Sequence, residues 1–349
     1  WASAAATASA AAVTPPPPPP RHRDYASLLS RGTDGRGSPA LFLAPMEGLG
    51  DRRLRRALAL SSGGFDEACR EFTRVPGALS QGAKPEKLLR GIALTGYDSE
   101  ELLRSGSGAA RGDVGGGGGS SSRGSSSSGA AVAAADVSTS LLLTTNNVPS
   151  RAPSLLAAQL MGSTPELLER CARFLAEEGR APRVDLNCGC PANVVTGKGA
   201  GSSLLRNPYD VEECIAAVKR GTSGTGTAVS LKMRSGFDDR GLLRENLLAA
   251  QAGGAEFVTL HARTRAQGYS GRAQWADIAL AVDLLDIPVI GNGDVTSPGR
   301  AAELIAETGC AGIMVGRGAV QDPLLFRRIS AALGTDGGAS YRQHLRGGG

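Results

Sequence analysis

The chain has no run of about 18 apolar residues, so its sequence offers no segment that spans a membrane as a helix. It has three histidines, His22, His261 and His344, and only His261 lies in well-patterned sequence. A histidine-based zinc cluster or a Cys/His protease site is therefore hard to assemble. The six cysteines include no C-x-x-C pair, which argues against a zinc ribbon. Cys171 and Cys214 fall on apolar helix positions as buried free thiols, and a reducing compartment is the simplest inference. Aromatic residues make up only 4% of the chain while glycine reaches 49 residues, so part of it is expected not to pack.

What is present begins with charge and length. A net charge of +5 suits an anionic partner, and equally an ordinary basic enzyme. At 349 residues, one large domain of about 250 residues with extensions fits better than two average domains. Residues 1–38 read as a low-complexity tail with six prolines at 15–20. The tail is Ala-rich and has no acidic residue before Asp24, which suits either an organelle transit-peptide remnant or a tail without an address. The expected compartment is the cytoplasm, or a plastid or mitochondrion. A start at Trp1 suggests a fragment or a processed form. Residues 105–150 form a second biased block, with Gly115–Gly119 and Ser125–Ser128, and read as a disordered insertion in a surface loop. Deleting it is expected to leave cofactor content unchanged.

Between these blocks strand and helix patterns alternate. Strands are expected at Leu41–Pro45, Ala68–Phe72, Leu155–Leu160, Val184–Asn187, Val229–Met233, Phe257–His261, Pro288–Asn292 and Gly312–Val315. Helices are expected at 51–60, after Thr164-Pro165, after Asn207-Pro208, and at 242–251, 275–284, 298–308 and 323–333. Eight short Val/Ile/Leu runs without alternation, each leading to a helix or to the insertion, predict an α/β chain folded as a parallel (β/α)8 TIM barrel over 39–334.

In such a barrel the site lies at the C-terminal ends of the strands. Those ends carry Pro45-Met46-Glu47, Glu71, Gln159, Asn187 with Cys190, Lys232 with Arg234, His261 with Arg263, Asn292-Gly293-Asp294, and Gly316-Arg317-Gly318. A single polar strand end is ordinary; eight together point to a site. The last two loops suit a phosphate: Gly293, Gly316 and Gly318 allow close backbone approach, and Arg317 adds a planar fork of donors. Lys232, in an apolar strand, suits a Schiff base, a carboxylate clamp, a cation facing an electron-rich cofactor, or a snorkelling surface residue. Cys190 suits a structural thiol, a metal ligand, a nucleophile or a proton donor. Cys188 and Cys190 lack a second pair to complete a metal site, so no metal is expected. Residues 196–202 lack the spacing of a nucleotide-binding P-loop and read as a Gly-rich loop above Cys190.

Seven motifs then occur in order: Ala44-Pro45-Met46-Glu47-Gly48 with Asp51, Glu71-Phe72-Thr73-Arg74-Val75, Gln159-Leu160-Met161-Gly162, Asp185-Leu186-Asn187-Cys188-Gly189-Cys190-Pro191, Lys232-Met233-Arg234, His261-Ala262-Arg263-Thr264-Arg265 and Asn292-Gly293-Asp294. Together they resemble the tRNA-dihydrouridine synthases. The Asn-Cys-Gly-Cys-Pro form and Gln267-Gly268-Tyr269 are most similar to the bacterial C-type branch, which acts on the D-loop. The resemblance implies a flavoprotein in which NADPH reduces FMN, the flavin passes hydride to C6 of a tRNA uridine, and Cys190 protonates C5. It implies that Pro45, Met46, Gln159, Lys232 and His261 line or contact the flavin. Asn292, Gly293, Asp294, Gly316 and Arg317 would hold the ribityl and phosphate groups, and Glu71, Asn187 and Tyr269 would meet the uridine and its neighbours. The partner is tRNA, and a monomer is expected. The family's helical domain after the barrel is expected to be missing, with 335–349 as its remnant. Two alternatives remain: an FMN-dependent reductase or dehydrogenase of a free pyrimidine, and a catalytically silent flavin- or RNA-binding barrel.

Overall fold

The structure, a computed structural model, describes residues 25–33, 39–61, 64–75, 155–191 and 199–334. The 105–150 insertion, the 335–349 remnant and most of the 1–38 tail lie outside the described residues. Strands β1 (Ala40–Leu43), β2 (Glu67–Cys69), β4 (Leu155–Met161), β5 (Arg183–Cys188), β6 (Ala228–Gly236), β7 (Phe257–Thr264), β8 (Val289–Asn292) and β9 (Gly312–Val315) pair in parallel. The two-residue β3 (Thr73–Arg74) extends the second strand's course alongside β4. Pairing of β1 with β9, and of β2 with β4, closes the sheet on itself. The fold is the expected eight-stranded parallel barrel. Among the described residues no helix is long and apolar enough to cross a membrane.

The helices start where local chemistry favours it. Asn207 accepts the Tyr209 N–H and Pro208 opens α4 (Pro208–Thr222). Ser297 accepts the Arg300 N–H ahead of α7 (Pro298–Thr308), which ends at Gly309 in a left-handed conformation. Helices α2 (Arg52–Ser61), α3 (Pro165–Glu177), α5 (Leu243–Ala252), α6 (Ala276–Leu284) and α9 (Leu325–Leu333) complete the outer layer. A short α8 (Arg317–Gln321) occupies the loop after β9.

Two features differ from expectation. Residues 25–33, assigned to the tail, form helix α1. Its Tyr25, Leu28 and Leu29 pack with Phe42, Phe257 and Ile290 under the barrel, because these apolar side chains recur at helical spacing. The strands also alternate. Val184, Leu186 and Cys188 of β5, and Val229, Leu231 and Met233 of β6, join the core beneath the helices. Arg183, Asp185 and Asn187, and Ser230, Lys232 and Arg234, take the interior face. The barrel interior is thus polar through several layers, where such barrels usually hold branched aliphatics.

Candidate active site

The polar interior opens at the C-terminal ends of the strands into two cavities that share a wall. The smaller, about 290 Å³, is lined on one side by Asn292, Gly293, Asp294, Gly316, Arg317 and Gly318. The larger, about 580 Å³, reaches Glu47, Leu49, Phe72, Asn187, Cys190 and Arg234. Pro45, Met46, Lys232, His261, Tyr269 and Arg317 line both.

Cys190 sits on the loop after β5, 7% exposed. The side-chain oxygen of Asn187 accepts the N–H groups of Gly189 (3.0 Å) and Cys190 (2.9 Å), a local turn that ends the strand and turns Cys190 toward the larger cavity. The Cys190 carbonyl accepts from Ser202 Oγ at 2.8 Å, so the loop is fixed on both sides of the thiol. Cys190 Sγ lies 3.9 Å from Glu47 Oε2, and Glu47 pairs with Arg74 at 2.5 Å. Cys188, two residues earlier, points into the helix layer, and burial raises its thiol well above its usual range. The two sulfurs thus serve different faces of the strand. Among the described residues no group of three or more metal-ligating side chains gathers.

Lys232 faces both cavities. Its ammonium donates to Asn292 Oδ1 at 3.3 Å. Burial and the neighbouring Arg234 guanidinium pull it from its ordinary 10.5 down to about 8. Burial and the cations Lys232, Arg234, Arg263 and Arg317 hold His261 at about 2, so its imidazole is neutral. Arg263 Nη1 lies 3.4 Å from His261 Nε2; an arginine only donates, so the ring proton belongs on Nδ1. Arg263 also clamps both oxygens of Asp294, at 2.8 and 2.9 Å. Burial alone would raise the Asp294 carboxyl; the Ala273 N–H and Arg263 outweigh it and hold the group below its usual range. Gly293 has φ +125°, and a Cβ there would stand 2.8 Å from Ala273 Cβ and 3.3 Å from His261 Cδ2.

The structure brings Cys190, Pro45, Met46, Lys232, His261, Asn292, Gly293, Asp294, Gly316, Arg317, Asn187 and Tyr269 onto the cavity walls. Gln159 and Glu71 line neither. Gln159 lies beneath, between Asp185 and Asn187. Glu71 keeps one carboxylate oxygen buried without a hydrogen-bond partner. The sequence reading gave no role to Arg234, which donates to the carbonyls of Gly189 (2.9 Å), Thr264 (3.0 Å) and Gly268 (2.8 Å) and so ties two rim loops together. Its place at a strand end was visible; the carbonyls it collects come from loops that sequence patterning does not locate. Tyr269, 59% exposed, lies against the Arg317 guanidinium (4.4 Å) and near that of Arg234 (5.5 Å).

A family model described as "Dihydrouridine synthase (Dus)" matches residues 130–340. A tRNA-dihydrouridine(16) synthase of Cupriavidus necator is 35% identical over 304 residues, covering 87% of this chain and 76% of that one. A second protein of that name, from Ralstonia nicotianae, is 33% identical over 290 residues, 83% of this chain and 72% of its own. A probable tRNA-dihydrouridine synthase of Mycobacterium leprae is 41% identical over 186 residues, and this chain spans about half of its length (48%). Among solved structures, 6-hydroxypseudooxynicotine amine oxidase (HisD) of Pseudomonas geniculata superposes with TM-score 0.50 at 13% identity, over 88% of this chain and 50% of that one, a likeness of fold alone.

Proposed function

We propose, on the premise that this chain belongs to the dihydrouridine synthase family, that it reduces the C5=C6 bond of a D-loop uridine in tRNA, with FMN as cofactor and NADPH as reductant. The names of two relatives favour uridine 16. The observation that carries the reading is the shared wall. A cavity lined by cations and close-approach glycines abuts a cavity that ends on a thiol.

The donor set suits a flavin nucleotide. Lys232 is a cation facing the cavity, and among the described residues a neutral amide is the partner it meets. Arg317 and the Gly293 and Gly316 backbones suit a phosphate. Asn292, oriented by its own bond to the Met314 carbonyl at 2.7 Å, and Asp294 suit a ribityl chain. Pro45 and Met46 give an apolar face. When bound, the reduced cofactor supplies the hydride that adds at C6. Lys232 would steady negative charge on such a ring, a role in which one donor contributes about 3 kcal/mol in other enzymes. Cys190 gives its thiol proton at C5, on the other cavity's side. His261, neutral, orients through its Nδ1–H rather than acting as an acid. Tyr269 presents a stacking face to the base, and Asn187 borders the same cavity with its amide engaged by Gln159 and by the turn that carries Cys190.

The test is anaerobic. Protein loaded with FMN is reduced by NADPH and then mixed with a tRNA transcript, with UMP or with orotate. The reading expects bleaching of the flavin bands and reoxidation by tRNA only. Reoxidation by orotate would favour a free-pyrimidine enzyme. A flavin that NADPH never bleaches would favour a silent barrel.

A further inference from the structure

Beneath Cys190 the barrel interior holds a continuous hydrogen-bonded column with one polarity. At its foot Tyr25 of α1 donates to Glu67, and Glu67 pairs with the fully buried Arg183. Arg183 Nη1 donates to Asp185 Oδ1 at 2.9 Å. Asp185 Oδ2 accepts from Gln159 Nε2 at 2.6 Å. Gln159 Oε1 accepts from Asn187 Nδ2 at 2.9 Å, and Asn187 Oδ1 accepts the Gly189 and Cys190 N–H groups.

We infer that Asp185 is a positioning residue that sets the direction of this column and thereby the pose of the Cys190 loop. The inference rests on the reading of Cys190 as the proton donor. A carboxylate only accepts, so Gln159 must turn its NH2 toward Asp185 and its oxygen toward Asn187. Asn187 must then turn its NH2 down and its oxygen up, where two backbone N–H groups need an acceptor. Asn187 reversed would set NH2 against the Gly189 and Cys190 N–H groups, and Gln159 reversed would set its oxygen against Asp185 and its NH2 against that of Asn187. Each amide has nearly the same shape in either orientation, so its neighbours fix its direction: the Gly189 and Cys190 N–H groups from above, Asp185 from below. The buried constraint is Asp185, which is 2% exposed and anchored by Arg183 from below, and without it Gln159 has no acceptor beneath it to hold the column in this direction.

The decisive variant is Asp185→Asn, which keeps shape but can offer NH2 to Gln159. Gln159→Met breaks the column above Asp185 without touching the Arg183 pair, and serves if Asp185→Asn does not fold. The double variant Gln159→Glu/Asp185→Asn restores polarity, because a carboxylate at 159 accepts from both neighbours. The readout, in the whole chain, is the alkylation rate of each cysteine by iodoacetamide, resolved by peptide mass spectrometry. In Asp185→Asn or Gln159→Met, Cys190 alone should react at least about fivefold faster, with Cys188 still protected. The double variant should return toward the wild-type rate. An unchanged Cys190 rate overturns the inference, as does acceleration of all buried cysteines together or a double variant worse than either single. Cys190→Ala is assayed on tRNA in parallel. If it stays active while the alkylation pattern holds, the column stands and the proton-donor reading falls. If it is inactive and the alkylation rates do not move, the reverse is true.

Discussion

Replacing the Cys190 thiol by a methyl group removes a proton donor but leaves the turn that holds it, since Asn187 binds the backbone N–H. Cys190→Ala should keep its flavin and lose about 10²–10⁴-fold in dihydrouridine formation. Unaltered turnover on natural tRNA would contradict the assignment. Lys232 makes a second prediction at this scale. Its ammonium titrates near 8 in the folded protein, below its ordinary 10.5. Between those values the unfolded chain holds the proton more firmly, so this group adds stability as pH rises through the window. Anion binding runs the other way: affinity of the flavin-free protein for FMN should fall from pH 7 to pH 9 as the charge is lost. Lys232→Met should bind more weakly at pH 7 and show no such slope in a fluorescence titration. The strand-end residues were legible in the sequence because their side chains interrupt apolar runs. The depth of each was not. Gln159 reads like Lys232 as a polar strand end, yet it lies a layer lower because Asp185 and Asn187 hold both ends of its amide.

At the scale of the elements, the loop after β8 leaves little room at its glycine. Gly293 has φ +125° and packs against Ala273 and His261, with its carbonyl held by Trp275 Nε1 at 3.1 Å. Gly293→Ala should cost about 1–3 kcal/mol of stability and weaken flavin retention, read by thermal melts with and without FMN. A melt that does not move would mean the loop has slack its geometry denies. Strand and helix order was legible because Pro and Asn signals open several helices and apolar runs mark strands, and α7 matches its expected span of 298–308. The alternation of β5 was missed, because Val184–Asn187 was grouped with runs lacking alternation although Asp185 and Asn187 interleave with Val184 and Leu186, and Arg183 fell outside the expected strand. The burial of Arg183 and Asp185 depends on Glu67, a residue far away in sequence that no local pattern pairs with them.

Across the whole molecule, the barrel has a chemical end and a closed end. Helix α1 packs over the latter, with Tyr25 stacked on Phe257 at 5.8 Å. Composition hid this helix, since it follows a proline tract and is only nine residues long. Leu29→Ala should destabilise the barrel by about 2–5 kcal/mol in urea unfolding. A smaller loss would make α1 an ornament rather than part of the fold. The reading of the whole chain as a tRNA uridine reductase is tested most directly by nucleoside mapping. FMN-loaded protein and NADPH are incubated anaerobically with a tRNA transcript that contains uridine at position 16, and the product is digested and sequenced by mass spectrometry. The account predicts a gain of two hydrogens confined to a D-loop uridine, at position 16 as in the named relatives. A transcript returned unchanged while the flavin is fully reduced would contradict it.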